Sequence, residues 1–159
     1  QIIDACETTS SAANETTNGI TLAYCMTMLE NFGNNDVPDD GERFAIVAWE
    51  NWTQLLSLDQ FASQDYVPTD EMPLSEGTQA KKWLSFTWIP HSGLDSINSD
   101  ADRRGLFYHR TAVGHAVGKD VSLNLQYYNT KDSHFSLAKM QMNAVLIDAN
   151  GCFKADLKK

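Results

Sequence analysis

Phe44-Ala45-Ile46-Val47-Ala48-Trp49 is six apolar residues without a break. Successive side chains of a strand point to opposite faces, so a strand wetted on one side alternates apolar and polar residues. An unbroken apolar run of strand length is consistent with a strand covered on both faces, which demands a layer on each side of its sheet. The flanks supply helical patterns. Leu22, Cys25 or Met26, Leu29 and Phe32 fall on one helical face, and Trp52, Leu55 and Leu56 mark a short amphipathic helix over 50–58. Helix, turn, buried strand, helix is an α+β or α/β beginning.

The turn before the run has its own chemistry. In Val37-Pro38-Asp39-Asp40-Gly41, Pro38 fixes φ and Gly41 is free to take a positive φ. Its acids Asp36, Asp39, Asp40 and Glu42 lack the ligand spacing of a calcium loop, so a solvated acidic turn is expected. The first helix should start at an Asn18 cap and stop at Gly33. Residues 1–17 read as the end of one element and a loop. Asp59 can cap a turn holding Phe61. Residues 65–74, with Pro68 and Pro73, read as loop, and Ser75 can cap a helix over 76–83.

Strand patterns dominate afterwards. Leu84, Phe86 and Trp88 alternate with polar residues, residues 92–104 form a polar loop, and 106–109 return to strand. Residues 111–118 (TAVGHAVG) fit a tight helix or a turn. Val121, Leu123, Leu125 and Tyr127 alternate cleanly, which predicts a half-buried strand, and Met140, Met142, Ala144 and Leu146 repeat the pattern. Asn150-Gly151 is a hairpin signal, with Phe153, Ala155 and Leu157 as the return strand.

A net charge of −9 argues against nucleic acid as the main partner. The charge is uneven. Residues 1–100 carry 16 acids and 3 bases, and residues 101–159 carry 5 and 9. Such halves attract within one molecule or head to tail between molecules. No apolar run is long enough to span a bilayer, and there is no signal-peptide pattern. The chain begins at Gln1, so a processed product or fragment is expected. Cys6, Cys25 and Cys152 are odd in number and widely spaced, which fits reduced folding without a disulfide framework or zinc site. Cys25 sits on the apolar helix face as a core thiol, while Cys152 is expected to be exposed.

Catalytic patterns are sparse. His91, His109, His115 and His134 form no H-E-x-x-H or close pair, and no G-x-S-x-G occurs. A small hydrolase using His91, Ser92 or His109 is one alternative; adjacency of His91 and Ser92 does not by itself make a dyad. A ligand-binding module built on Trp49, Trp52, Trp83 and Trp88 is another, although two of these fall in apolar strands and two on helix faces, where packing is expected. No cofactor, metal or catalytic residue is assigned.

The order of short motifs carries a resemblance. A helix ending at Phe32-Gly33 leads to Asn35-Asp36-Val37-Pro38-Asp39-Asp40-Gly41-Glu42-Arg43-Phe44. Trp52-Thr53-Gln54-Leu55-Leu56 and Phe61-Ala62-Ser63-Gln64-Asp65-Tyr66-Val67 follow. Then come the run from Gly77 to Trp88 and the run from Tyr108 to Gly118. In this order the chain resembles the C-terminal portion of tailed-bacteriophage major capsid proteins. The resemblance implies the Hong Kong 97-type capsid fold: α+β, with an axial lobe whose central mixed sheet is flanked by helices, plus part of a peripheral lobe.

Residues 1–17 would then follow a missing N-terminal part, and 18–35 would be the spine-type helix of the peripheral lobe. Residues 36–120 would form the axial lobe, and 121–159 would complete the sheet and return to the periphery. The implied function is a coat subunit of a phage or prophage, made in the host cytoplasm and assembling with copies of itself into an icosahedral shell around DNA held only non-specifically. Taken alone, a piece lacking the N-terminal half can stay monomeric. The candidate intersubunit contacts are Asp39, Asp40 and Glu42 against Arg103, Arg104 and Lys119.

Overall fold

The computed structural model describes residues 3, 11–15, 19–62, 81–99 and 101–159. Its centre is the strand β2 (Arg43–Val47), and the apolar run is explained by the two clusters it separates. Ala45 and Val47 enter one cluster, while Ile46 and Ala48 enter another. Around β2 lies a seven-stranded mixed sheet. Its other strands are β1 (Ser11–Glu15), β3 (Lys81–Trp83), β4 (Phe86–Pro90), β5 (Ser96–Ile97), β6 (Asp102–His109) and β9 (Cys152–Lys158). The order is β1-β9-β6-β2-β4-β3, with β5 paired to β6. β2 runs parallel to β4 and antiparallel to β6, and β1 runs parallel to β9.

The larger cluster lies under the helices. α1 (Leu22–Asn34) buries Cys25, Met28 and Phe32, and α2 (Trp49–Leu56) buries Trp52 and Leu55. The short α3 (Asp59–Ala62) adds Phe61. From the sheet come Phe86, Trp88, Phe107, Phe153, Ala155 and Leu157. Phe32, Phe86, Trp88 and Phe107 meet mostly edge-on, with ring centroids 5.2 to 6.2 Å apart. Each such pair contributes about 1 kcal/mol beyond area burial. On the opposite face Leu94, Leu106 and Cys152 form the smaller cluster, and Phe44 stacks on Tyr108.

Several local expectations are corrected. Thr21 caps α1, its side chain accepting from the Tyr24 N–H. The helix runs past Gly33, and Asp36 takes the left-handed conformation (φ 53) instead. The Val37 N–H bonds Phe32 O and the Asp36 N–H bonds Gly33 O, a Schellman closure, and Phe32 and Val37 are both buried in the larger cluster. Residues 81–83 are strand, not helix. They turn into β4 through Leu84 and Ser85, both with positive φ, the twist a two-residue hairpin needs. Ser11–Glu15, in the stretch read as loop, is an edge strand held by β9. The loop expected over 92–104 contains β5 and the start of β6. Trp49 opens α2 on the surface instead of ending the strand. Cys152 is buried. The loop expected over 65–74, the Asn18 and Ser75 caps and Cys6 lie outside the described residues.

The largest departure is the segment after β6. A 3-10 turn (Arg110–Ala112) leads straight into β7 (Val113–Tyr128), so 111–118 is mainly strand. β7 pairs antiparallel with β8 (Ser133–Leu146) as a separate two-stranded sheet. Strands of 16 and 14 residues make an arm about 50 Å long at ~3.3 Å per residue. Asn150-Gly151 makes no hairpin. It lies in a 3-10 turn, after which β9 leaves β8 and inserts between β1 and β6.

Candidate functional site

The acidic turn is built from α1's exit. Arg43, almost fully buried at the start of β2, donates to Val37 O at 2.5 Å and to Pro38 O at 2.9 Å, and its guanidinium lies over the Phe32 ring. Three features of the turn thus hang on one side chain: its carbonyls, the helix end and the strand start. Gly41 takes a φ of 82, as its position in the turn requires. Asp40 accepts from the Glu42 N–H at 2.9 Å, and Asp39 accepts from Ser85 Oγ at 3.0 Å.

The turn faces the root of the arm. His109 ends β6 and is 1% exposed. The Thr111 N–H points at its Nδ1, which makes Nδ1 an acceptor and leaves Nε2–H to donate to Asp40 Oδ1 at 3.0 Å. That hydrogen bond is the first cause holding the Asp40 carboxyl below its ordinary range; the Glu42 N–H is the second. Arg110 completes the clamp, its side chain on Glu42 Oε1 at 2.5 Å and its N–H on Glu42 O at 3.1 Å. Ala112 O then accepts from Ile147 N and Asp148 N, tying the two strands of the arm at their base.

The other candidate contacts lie apart from the turn. Arg103 reaches Glu50 at 3.4 Å, and Arg104 pairs with Asp156 at 3.1 Å. Lys119 is exposed on β7, paired in register with Gln141. The structure therefore brings Asp40 and Glu42 to His109 and Arg110, and leaves Arg103, Arg104 and Lys119 elsewhere. In the sequence His109 stands out only as a residue a small hydrolase could use, and Arg110 carries no mark of its own. Separations of 69 and 68 residues leave no local signal for either contact. Two ion pairs, Glu50–Arg103 and Glu42–Arg110, join the acidic and basic parts of the sequence within one molecule.

Enzymatic geometry is poor among the described residues. His91 and Ser92 share an open cleft of about 200 Å³ with Trp49, Glu50, Leu94 and Arg103. The His91 Nδ1, however, accepts from the Gly93 N–H at 2.9 Å, which occupies that nitrogen locally. His91 follows the Val47 end of β2 and His109 pairs with the Arg43 end, a separation of about 13 Å along the strand. Trp52 and Trp88 are core, Trp83 packs on Trp88 and Phe61, and Trp49 alone is largely exposed, so no stacking platform forms. Burial pushes the Cys25 thiol up to about 12. No group of three His, Cys, Asp or Glu among the described residues is placed to hold a metal ion.

Comparison with known proteins agrees with a structural site. A family model described as phage capsid protein matches residues 2–158. A solved structure from Mycobacterium phage Che8 superposes with a TM-score of 0.71 at 14% identity, covering 97% of this chain and 54% of that one. The mature capsid of bacteriophage PhiM1 gives 0.69 at 12%, covering 99% and 58%, and the capsid of cyanophage P-SCSP1u gives 0.64 at 12%, covering 98% and 58%. The chain spans little more than half the length of these solved chains. No curated protein matches it. The mixed sheet with its flanking helices is the Hong Kong 97-type capsid fold, as the motif order implied. The chain belongs to the phage capsid protein family.

Proposed function

We propose that the chain is part of a major capsid subunit that assembles with copies of itself, in rings of five or six, into an icosahedral shell enclosing DNA. The family match over residues 2–158 carries this reading. The role is structural and non-enzymatic. The dispersal of His91 and His109 supports that, because a base and nucleophile must lie within hydrogen-bond reach. The subunit is made in the host cytoplasm and resides in the virion capsid. A net charge of −9 suits a shell that holds DNA only non-specifically.

In this assignment residues 36–120, which reach into the first half of β7, are the axial lobe, α1 is the end of the spine-type helix, and residues 121–159 complete the sheet and return to the peripheral lobe. The placement of β9 inside the main sheet supports the part of 121–159 expected to complete it. Asp39, Asp40 and Glu42 meet Arg103, Arg104 or Lys119 of a neighbouring copy. The exposure of Asp39 and Lys119 supports their availability. Electron microscopy and size-exclusion chromatography of the full-length protein test the reading. Rings or shells are expected, and a strict monomer across salt and concentration overturns it. Reversing Asp39 and Lys119 one at a time should weaken assembly, and reversing both together should restore it.

A further inference from the structure

We infer that Asn150 is a spontaneous modification site that the fold keeps closed, converting to aspartate or isoaspartate only in molecules whose arm root has opened. The chemistry needs no enzyme, since asparagine is a thermolabile side chain. The Gly151 amide nitrogen attacks the Asn150 Cγ. The bond from Cγ to the side-chain nitrogen breaks, and that nitrogen leaves as ammonia with the proton of the Gly151 N–H. A five-membered imide remains. Water then opens it at either carbonyl, giving aspartate or isoaspartate, in which the backbone runs through the former side chain. Glycine in the following position offers a nitrogen that no side chain shields. Asn150 is itself exposed, so water and base reach it freely.

Closure comes from the backbone. Asn150 is the middle residue of the 3-10 turn Ala149–Gly151, and its N–H is held by Asp148 Oδ1 at 2.9 Å. A 3-10 turn keeps ψ at about −20 to −30°, while ring closure eclipses Cβ with the next nitrogen at a ψ of about −120°. Asn150 must therefore turn by roughly 90–100° about its Cα–C bond and carry Gly151 with it. Gly151 is buried and has no room to follow. A Cβ there would stand 2.7 Å from the Ala112 Cβ and 3.9 Å from the His109 Cβ, so the residue fits closely against the arm's root. The next residue, Cys152, is buried and paired with Tyr108 in the β9–β6 ladder. On the other side Ala112 O holds Ile147 N and Asp148 N. The ring forms only when these contacts part, so the rate in the fold is the open-chain rate scaled by the fraction open. The product is a lasting mark. Isoaspartate adds one backbone carbon to a turn without slack, and either product sets a new carboxylate near that of Asp148.

The test incubates the full-length protein at mildly alkaline pH, once folded and once unfolded in guanidinium, and follows Asn150 by mass spectrometry. Trypsin isolates it on residues 140–154, away from this chain's other Asn-Gly pair at Asn18, and fragment ions separate it from Asn143. Conversion in the unfolded chain is expected to be roughly tenfold or more faster than in the folded one. Asp40→Ala, which removes the partner of His109 at the root, should raise the folded rate and leave the unfolded rate unchanged. Chains converted to isoaspartate while unfolded should refold to a lower melting temperature than the parent. Equal rates in the two states overturn the closure, and an unfolded chain that does not convert overturns the site. A folded rate unmoved by Asp40→Ala sinks the root as the gate. Converted chains that melt like the parent overturn the lasting mark.

Discussion

The buried imidazole of His109 donates to Asp40 at 3.0 Å, joining the end of β6 to the acidic turn across 69 residues. Asp40→Ala should lower the melting temperature at neutral pH by removing the partner of a buried N–H. The sign of the pH dependence follows from the depressed carboxyl. A folded-state pKa below the unfolded one contributes stability that is present above the ordinary carboxylate range and is lost as pH falls through the folded value. The gap between parent and variant should therefore close on acidification. A gap that widens below pH 4 would contradict the assignment.

Arg43 supports both the helix exit and the strand start. Arg43→Ala leaves the carbonyls of Val37 and Pro38 without their donor and should cost about 3 kcal/mol in urea unfolding. Arg43→Lys should recover only part of this, since an ammonium cannot reproduce the planar fork. Full recovery by lysine would show that charge alone matters at this position.

A Cβ on Gly151 would stand 2.7 Å from the Ala112 Cβ. Gly151→Ala should destabilise by about 1–3 kcal/mol through overpacking at the arm's root. Ala112→Gly should rescue it. The pair should show non-additivity in a double-mutant cycle, and simple additivity would mean that the two turns yield independently.

Cys25 is deep under α1, its thiol pushed up by desolvation to about 12. It should resist maleimide at pH 8 in the native state and react once the protein is unfolded in urea. Cys152, buried on the opposite face of the sheet, should behave likewise. Rapid native labelling of either, mapped by mass spectrometry, would require the core to open locally.

The legible parts of this fold were those with a period. α1 and α2 follow from apolar side chains at helical spacing, and β2 follows from an unbroken run because both its faces are covered. The illegible parts were set by distant contacts. Leu84-Ser85 turns a hairpin without the Gly or Asn that usually marks one, its φ angles fixed by the pairing of β3 with β4. Asn150-Gly151 carries the hairpin mark but makes no hairpin, since β9 has better partners in β1 and β6. Ser11–Glu15 has no apolar alternation to announce it; an edge strand needs only a backbone ladder. For the candidate site, the turn chemistry was visible and its partners were not. The alternation of Val121 to Tyr127 correctly specified strand, and burial failed to follow because the described chain supplies no cover for that face.

β9 lies between β1 and β6, strands whose sequence positions are nearly ninety residues apart. Among the described residues β9 is the one partner of β1, so until residues 152–158 have left the ribosome that ladder is unmade and one long edge of β6 stays open. A nascent chain stopped before Cys152 thus has two unsatisfied ladders and an arm but no closed sheet. Synthesis therefore lays down β6 and both strands of the arm before the strand that joins β6 to β1 exists. Pairings this remote also make folding slow.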